Sequence, residues 1–218
     1  VSGFGWSTIQ QIVGRVTTFV VNLALARLLV PEDFGTLAVL GIFLAISTQL
    51  ADIGFGSSLT RSERVDDADL STIFYYNIGM SSLLYLILFI AAPWIADYFR
   101  NPILVPVLRV ISLSVVINSL CSIQAILVWR QMEFRKDMLI QLATGVLSGL
   151  TGIVMAYFGY GYWALVGMGL ANSIVRLIGY WCSSPWRPKL IFSMEKLKLH
   201  FGYGSRMVGA GLITTLNT

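Results

Sequence analysis

Charge is what this sequence has least of. Asp, Glu, Lys and Arg make up 12% of its 218 residues, against 56% hydrophobic ones, with a mean hydropathy of +0.75. Soluble domains carry about 25% charged residues. With so little solvating surface, a water-soluble fold of this chain would expose aggregating apolar patches, and that class is excluded. Histidine is reduced to His200. The two cysteines, Cys121 and Cys182, lie in or at the end of apolar runs without a CxxC or Cys/His cluster, so disulfide and metal readings have little support and no cofactor is expected. A basic leader with a cleavage site is missing as well: the sequence opens Val1-Ser2-Gly3, with neither signal-peptide features nor an initiator Met.

What the sequence does have is long apolar runs separated by short clusters of charge. A helix that crosses a bilayer needs about 20 mostly apolar residues. Runs of that kind cover Trp6–Leu29, Phe34–Leu59, Thr72–Ala92, Val105–Trp129, Met138–Phe158 and Trp163–Cys182, and another begins near Tyr203. The expected fold is an all-α polytopic bundle of about six complete spans plus the start of a seventh. Three regions follow: a six-helix membrane bundle over 1–183, a basic, amphipathic connector over 184–202, and the first part of a seventh span over 203–218. The chain therefore reads as truncated at both ends.

The turns carry their own chemistry. Val30-Pro31-Glu32-Asp33 separates the first two runs, with proline suited to a first helical turn and acids complementing its positive end. Pro93 and Asn101-Pro102 mark the next outer turn, and Gly159-Tyr160-Gly161-Tyr162-Trp163 another, rich in the aromatics of a membrane interface. Alternate loops divide the positive charge unequally. One set carries Arg61, Arg64, Arg130, Arg135, Lys136, Arg187, Lys189, Lys196 and Lys198; the other carries Arg27 and Arg100. The basic set, and with it the N-terminus, is expected in the cytoplasm. Within the connector, Met194, Leu197 and Phe201 recur at helical spacing, so 193–201 reads either as a short helix on the membrane surface or as a basic loop.

Several spans are polar on one side. In the first, Thr8, Gln11, Arg15, Thr18 and Asn22 fall on one helical face. Gly41, Ala45, Thr48 and Asp52 do so in the second, Asn77 and Ser81 in the third, Gln141, Thr144, Ser148 and Thr151 in the fifth, and Asn172 and Arg176 in the sixth. Small polar residues often serve helix packing, which is the preferred reading of the fifth span with its Gly145 and Gly149. Arg15 is different, because an arginine at the bilayer centre costs about 2.5–3.5 kcal/mol on insertion scales. Such a residue faces a water-filled path or a partner charge. Arg109 and Arg176 are further intramembrane cations, although Arg109 is near enough to a span end to snorkel, and Asp52 is the clearest intramembrane acid. The candidates for a substrate path are Arg15, Gln11, Asn22, Asp52 and Arg176. A cavity so biased favours an anion, which arginine can grip bidentately; the competing reading is a structural ion pair such as Asp52 with Arg15.

Four stretches carry a resemblance to a known family. They are Leu25-Ala26-Arg27-Leu28-Leu29-Val30-Pro31-Glu32-Asp33-Phe34-Gly35; Gln49-Leu50-Ala51-Asp52-Ile53-Gly54-Phe55-Gly56; Met132-Glu133-Phe134-Arg135-Lys136; and Gly159-Tyr160-Gly161-Tyr162-Trp163-Ala164-Leu165-Val166. In this order the chain resembles the N-terminal half of the Wzx-type lipid-linked oligosaccharide flippases of the MOP superfamily. The resemblance implies two related six-helix bundles around a central cavity and alternating access. The cargo would be an undecaprenyl-pyrophosphate-linked oligosaccharide (an O-antigen, capsule or exopolysaccharide repeat unit) crossing the bacterial inner membrane. It implies membrane lipids and that polyprenyl pyrophosphate as partners, with a polysaccharide polymerase and co-polymerase beyond them, and no nucleic acid. Arg15 would attract the pyrophosphate, Asp52 would be a structural or gating acid, and Arg27, Glu32 and Asp33 would set helix ends or an external gate.

Rival classes remain open at this level. A multidrug/cation antiporter of the same superfamily would need intramembrane carboxylates, of which Asp52 is the one strong case. A membrane polysaccharide polymerase or ligase would need large catalytic loops, and the outer loops here are too short, so no enzyme is expected. A purely structural scaffold leaves the cost of Arg15 unexplained.

Overall fold

The computed structural model describes residues 65–195 together with 19, 21, 23–28, 35, 41–48, 59 and 197. Its helices are α1 (Asp67–Tyr98), α2 (Leu104–Ile111), α3 (Leu113–Arg130), α4 (Phe134–Tyr157) and α5 (Tyr162–Ser183). No strand occurs among the described residues. Among the described residues four helical units are long and apolar enough to span a membrane, since α2 and α3 run on through Ser112 as one unit, Leu104–Arg130. They correspond to the third to sixth expected spans. Residues 23–28 and 41–48 are helical too, as is Leu59, within the first two expected spans.

Each boundary has a local cause. The backbone N–H of Asp66 donates to Asp69 Oδ2 at 2.9 Å, half of a capping box, and Asp67 and Asp69 sit in the first turn, where they complement the helix dipole. At 32 residues α1 is about 48 Å long by helical rise, well beyond a ~30 Å hydrocarbon core. That excess leaves room for its acidic first turn outside the apolar layer. Pro93 does not mark a turn, as the sequence suggested, but sits inside α1, which continues to Tyr98. The turn comes at Asn101, whose side-chain oxygen accepts from the N–H of Ile103 at 3.2 Å. The α4–α5 turn depends on Gly159 and Gly161, with φ of +79° and +52°, a region closed to most side chains.

Lipid is the solvent this fold is built for. Leu83, Ile87, Ile90 and Trp94 recur at helical spacing along α1 and are all more than half exposed. Opposite them, Asn77, Ser81, Leu84, Leu88 and Ala92 are buried. An apolar stripe outside and a mixed face inside is the inverse of a soluble helix. Inside, α3 lies between α1 and α5, and α4 forms a close hairpin with α5. That hairpin meshes glycines with large side chains: Gly152 faces Met168, Gly167 faces Met155, and Gly179 faces Ile140. The helical segment around Val21 and Leu25 packs on its outer side. Val21 lies against Gly149, and Leu25 is buried with Ala156, Ala164 and Leu165. The packing reading of the fifth span's glycine pair thus holds at Gly149.

The bundle has two chemically different ends. At one, Ala92, Ala96, Leu104, Val107, Leu108, Ile111 and Val166 form a core joined by Leu44, Tyr162 and Trp163. At the other, Leu59, Leu70, Ile73, Phe74 and Ile123 are covered by Trp181, Trp186 and Leu197. The second end carries the basic loops. There the connector forms a strap rather than a free loop. Lys189 N–H donates to Ser71 Oγ and Ser193 N–H to Thr72 Oγ1, each at 3.1 Å, and Lys189 Nζ reaches Asp67 Oδ2 at 2.5 Å. Arg187 donates to the carbonyls of Ser184 (2.7 Å) and Trp181 (3.1 Å), neutralising the negative end of α5. Residues 194, 195 and 197 are helical, but Leu197 packs inward on the core.

Candidate functional site

Two sets of polar side chains cross the described bundle, and they do different things. The first joins α1 to α3. Ser81 Oγ donates to Ser119 Oγ at 2.8 Å, and Asn77 Nδ2 to Ser122 Oγ at 3.2 Å. Ser81 and Asn77 are buried. Hydroxyls and amides that meet across helices in lipid hold the helices together, at roughly 0.6 kcal/mol each on average. The third span's polar pair is therefore structural.

The second set gathers on α5 and faces α3 and α4. Asn118 Nδ2 of α3 donates to Ser173 Oγ at 3.2 Å. One turn on, the Arg176 guanidinium lies over the ring of Tyr180, 5.7 Å from its centroid. The Tyr180 hydroxyl in turn donates to Asp137 Oδ1 of α4 at 2.5 Å, and Gln141 Nε2 donates to Asp137 Oδ2 at 3.3 Å. Tyr180 and Asp137 are each 1% exposed, while Asn172 and Arg176 lie on the surface of the described bundle. The arrangement is a buried carboxylate, a buried phenol and an accessible cation in sequence. It can present one positive charge to an anion while compensating that charge from behind.

Of the five substrate-path candidates, Arg176 is the one this cluster contains. Arg15, Gln11, Asn22 and Asp52 lie outside the described residues. The accompanying stripe of Gly41, Ala45 and Thr48 is on an exposed face, with the Thr48 hydroxyl turned back to the carbonyls of Leu44 and Ala45 at 3.0 and 2.9 Å. Arg109 points elsewhere: its guanidinium sits 4.3 Å from the Phe89 ring centroid and its Nε donates to the Phe89 carbonyl at 3.4 Å. Asp137 and Tyr180 are not among the residues that sequence reasoning singles out. A signal for each is present, since Asp137 continues the Gln141, Thr144, Ser148 stripe four residues earlier, and Tyr180 continues Asn172 and Arg176 four residues later.

A model of the polysaccharide biosynthesis protein family matches residues 24–218. The chain belongs to this family. It is 28% identical over 222 residues to the lipopolysaccharide biosynthesis protein WzxC of Escherichia coli (strain K12), covering 100% of this chain and 45% of that protein. It is 26% identical over 206 residues to the succinoglycan biosynthesis transport protein ExoT of Rhizobium meliloti (strain 1021), covering 94% and 42%. With the teichuronic acid biosynthesis protein TuaB of Bacillus subtilis (strain 168) it shares 22% over 218 residues, 99% and 45%. The chain thus spans somewhat under half the length of these curated relatives. No solved structure matches. Within the polysaccharide biosynthesis family, then, this chain is a membrane protein with one relative, ExoT, named for transport, and its polar cluster on α5 is set in apolar, span-length helices.

Proposed function

We propose that this bundle is one half of a transporter that flips an undecaprenyl-pyrophosphate-linked oligosaccharide across the bacterial inner membrane. The observation that carries the reading is the family match over 24–218, on helices that place an accessible arginine among buried polar groups. The polar head group would pass along the face that carries Arg176, and along Arg15, Gln11, Asn22 and Asp52 on the first two spans. The polyprenyl tail would stay in lipid. No bond is made or broken, so the work is charge compensation and alternating exposure of the path as one bundle rocks against another. The basic end, with Arg130, Arg135, Lys136, Arg187 and Lys189, would face the cytoplasm and place the N-terminus there. A polysaccharide polymerase and co-polymerase would take the cargo on the far side. The relatives' names, all in surface polysaccharide synthesis, favour this cargo over drug or cation antiport.

Substituting Arg15 and Arg176, each by Ala and by Lys, in the full-length protein tests it. A charge-assisted contact to phosphate is worth about 1.5–3 kcal/mol, so Arg→Ala should lower surface polysaccharide by about tenfold or more at equal expression, with partial retention in Arg→Lys. Normal export by all four variants would sink the cationic-path mechanism.

A further inference from the structure

Arg176 is held against Tyr180. Tyr180 lies four residues further along α5, the spacing that brings side chains into register on one helical face. Its ring carries the guanidinium at 5.7 Å from the centroid. The guanidinium also interacts with the Tyr180 hydroxyl, so the residue is met at both ring and oxygen while further N–H donors remain for a ligand. Such donors grip phosphate oxygens in pairs. The value of the platform depends on which way the ring faces, and Tyr180 does not fix that alone. A buried phenol needs an acceptor, and Asp137 supplies it from α4 at 2.5 Å, with its second oxygen held by Gln141 at 3.3 Å. Gly179 reinforces the arrangement by letting the backbone of α5 come against Ile140.

We propose that Asp137 and Tyr180 are positioning residues for Arg176, setting the guanidinium where it can meet the transported anion. Asp137 acts through Tyr180: it fixes the ring and places a negative charge behind the cation, without touching the cargo. The role of the anion rests on the flippase reading; the geometry of the three residues does not.

The two parts separate in one experiment on the full-length protein in native membranes. Arg176 is labelled with phenylglyoxal, a guanidine reagent, and its rate of modification is read by mass spectrometry of the peptide that contains it. Tyr180→Phe keeps the ring's volume and removes the hydroxyl, and Asp137→Asn keeps the shape and removes the charge. Both should speed modification of Arg176 about fivefold, the size of one weakened hydrogen bond, and leave Arg100 in the opposite end's turn unchanged. In the parent protein, millimolar inorganic pyrophosphate should protect Arg176, and protection should weaken in both variants. Should Asp137→Asn not reach the membrane, Tyr180→Phe carries the test by itself. Equal rates at Arg176 in parent and variants overturn the positioning role. Faster labelling in the variants without any protection by pyrophosphate in the parent supports the positioning role and overturns the cargo reading instead.

Discussion

Arg109 on α2 donates through Nε to the carbonyl of Phe89 on α1 at 3.4 Å, and that carbonyl is the one to which residue 93 would donate in an unbroken helix. Residue 93 is proline and has no N–H to give. The guanidinium also lies over the Phe89 ring, at 4.3 Å from its centroid. A proline inside a membrane helix is tolerated when a neighbour takes up the freed backbone group, and here an arginine from the next helix does so. This gives an intramembrane cation a structural task and removes it from the list of path charges.

Arg109 and Pro93 should therefore be energetically coupled. Arg109→Leu in the native background leaves the Phe89 carbonyl without its donor and should cost about 1–2 kcal/mol of stability. In a Pro93→Ala background, where the substituted alanine supplies the helical N–H, the same change should cost close to nothing. Unfolding of the four proteins in mixed detergent micelles gives the cycle. A coupling near zero would mean that Arg109 merely snorkels.

The contact of Gly149 with Val21 predicts a size limit with a specific rescue. A methyl at Gly149 would overlap the Val21 side chain, which is β-branched and has little freedom to move aside. At Gly152 the neighbour is Met168, whose side chain can give. Gly149→Ala should thus destabilise by about 1–3 kcal/mol, as overpacking does, and Gly152→Ala by less. Val21→Ala should restore most of the loss at Gly149 and nothing at Gly152. If Val21→Ala does not discriminate between them, the first helical segment does not dock against this face of α4.

Across the basic end, hydroxyls should matter more than charge. The Lys189–Asp67 pair is about half exposed on both sides, the setting in which ion pairs contribute least. By contrast, Ser71 and Thr72 each satisfy a partly buried backbone N–H of the strap. Losing such an acceptor costs about 1–3 kcal/mol when the donor stays buried. Hydrogen exchange of the Lys189 and Ser193 amides should accelerate at least tenfold in Ser71→Ala/Thr72→Ala and change little in Asp67→Asn or in high salt. The reverse ranking would show the strap to be held electrostatically.

The membrane helices were legible because hydropathy marks the lipid layer. What it marks is the layer, not the helix: the apolar run Thr72–Ala92 became α1, Asp67–Tyr98, whose ends continue in polar surroundings under a capping box. Pro93 reads as a turn in the sequence because its missing N–H is offset by Arg109, a residue 16 positions away whose partner no local pattern names. At the site, Arg176 stands out by its cost in lipid. Tyr180 does not, since an aromatic near a span end reads as an interface anchor. Asp137 is hidden by its neighbours Arg135 and Lys136, which make the segment look like a solvated loop. Its burial arises from α5 folding back over α4, and the mutual register of two helices is not written in either one.

The strap also bears on how the protein is made. Its bonds join residues 118 to 122 positions apart, Lys189 and Ser193 to Asp67, Ser71 and Thr72. At synthesis rates of ~5–20 residues per second, the acidic turn that opens α1 waits on the order of ten seconds for its partner to leave the ribosome. Three further membrane-crossing units are laid down in that interval. Insertion can proceed span by span, but the basic end cannot be sealed until the chain has passed Ser193, so a nascent bundle halted earlier would leave Ser71 and Thr72 without their strap donors and the Phe74 face uncovered.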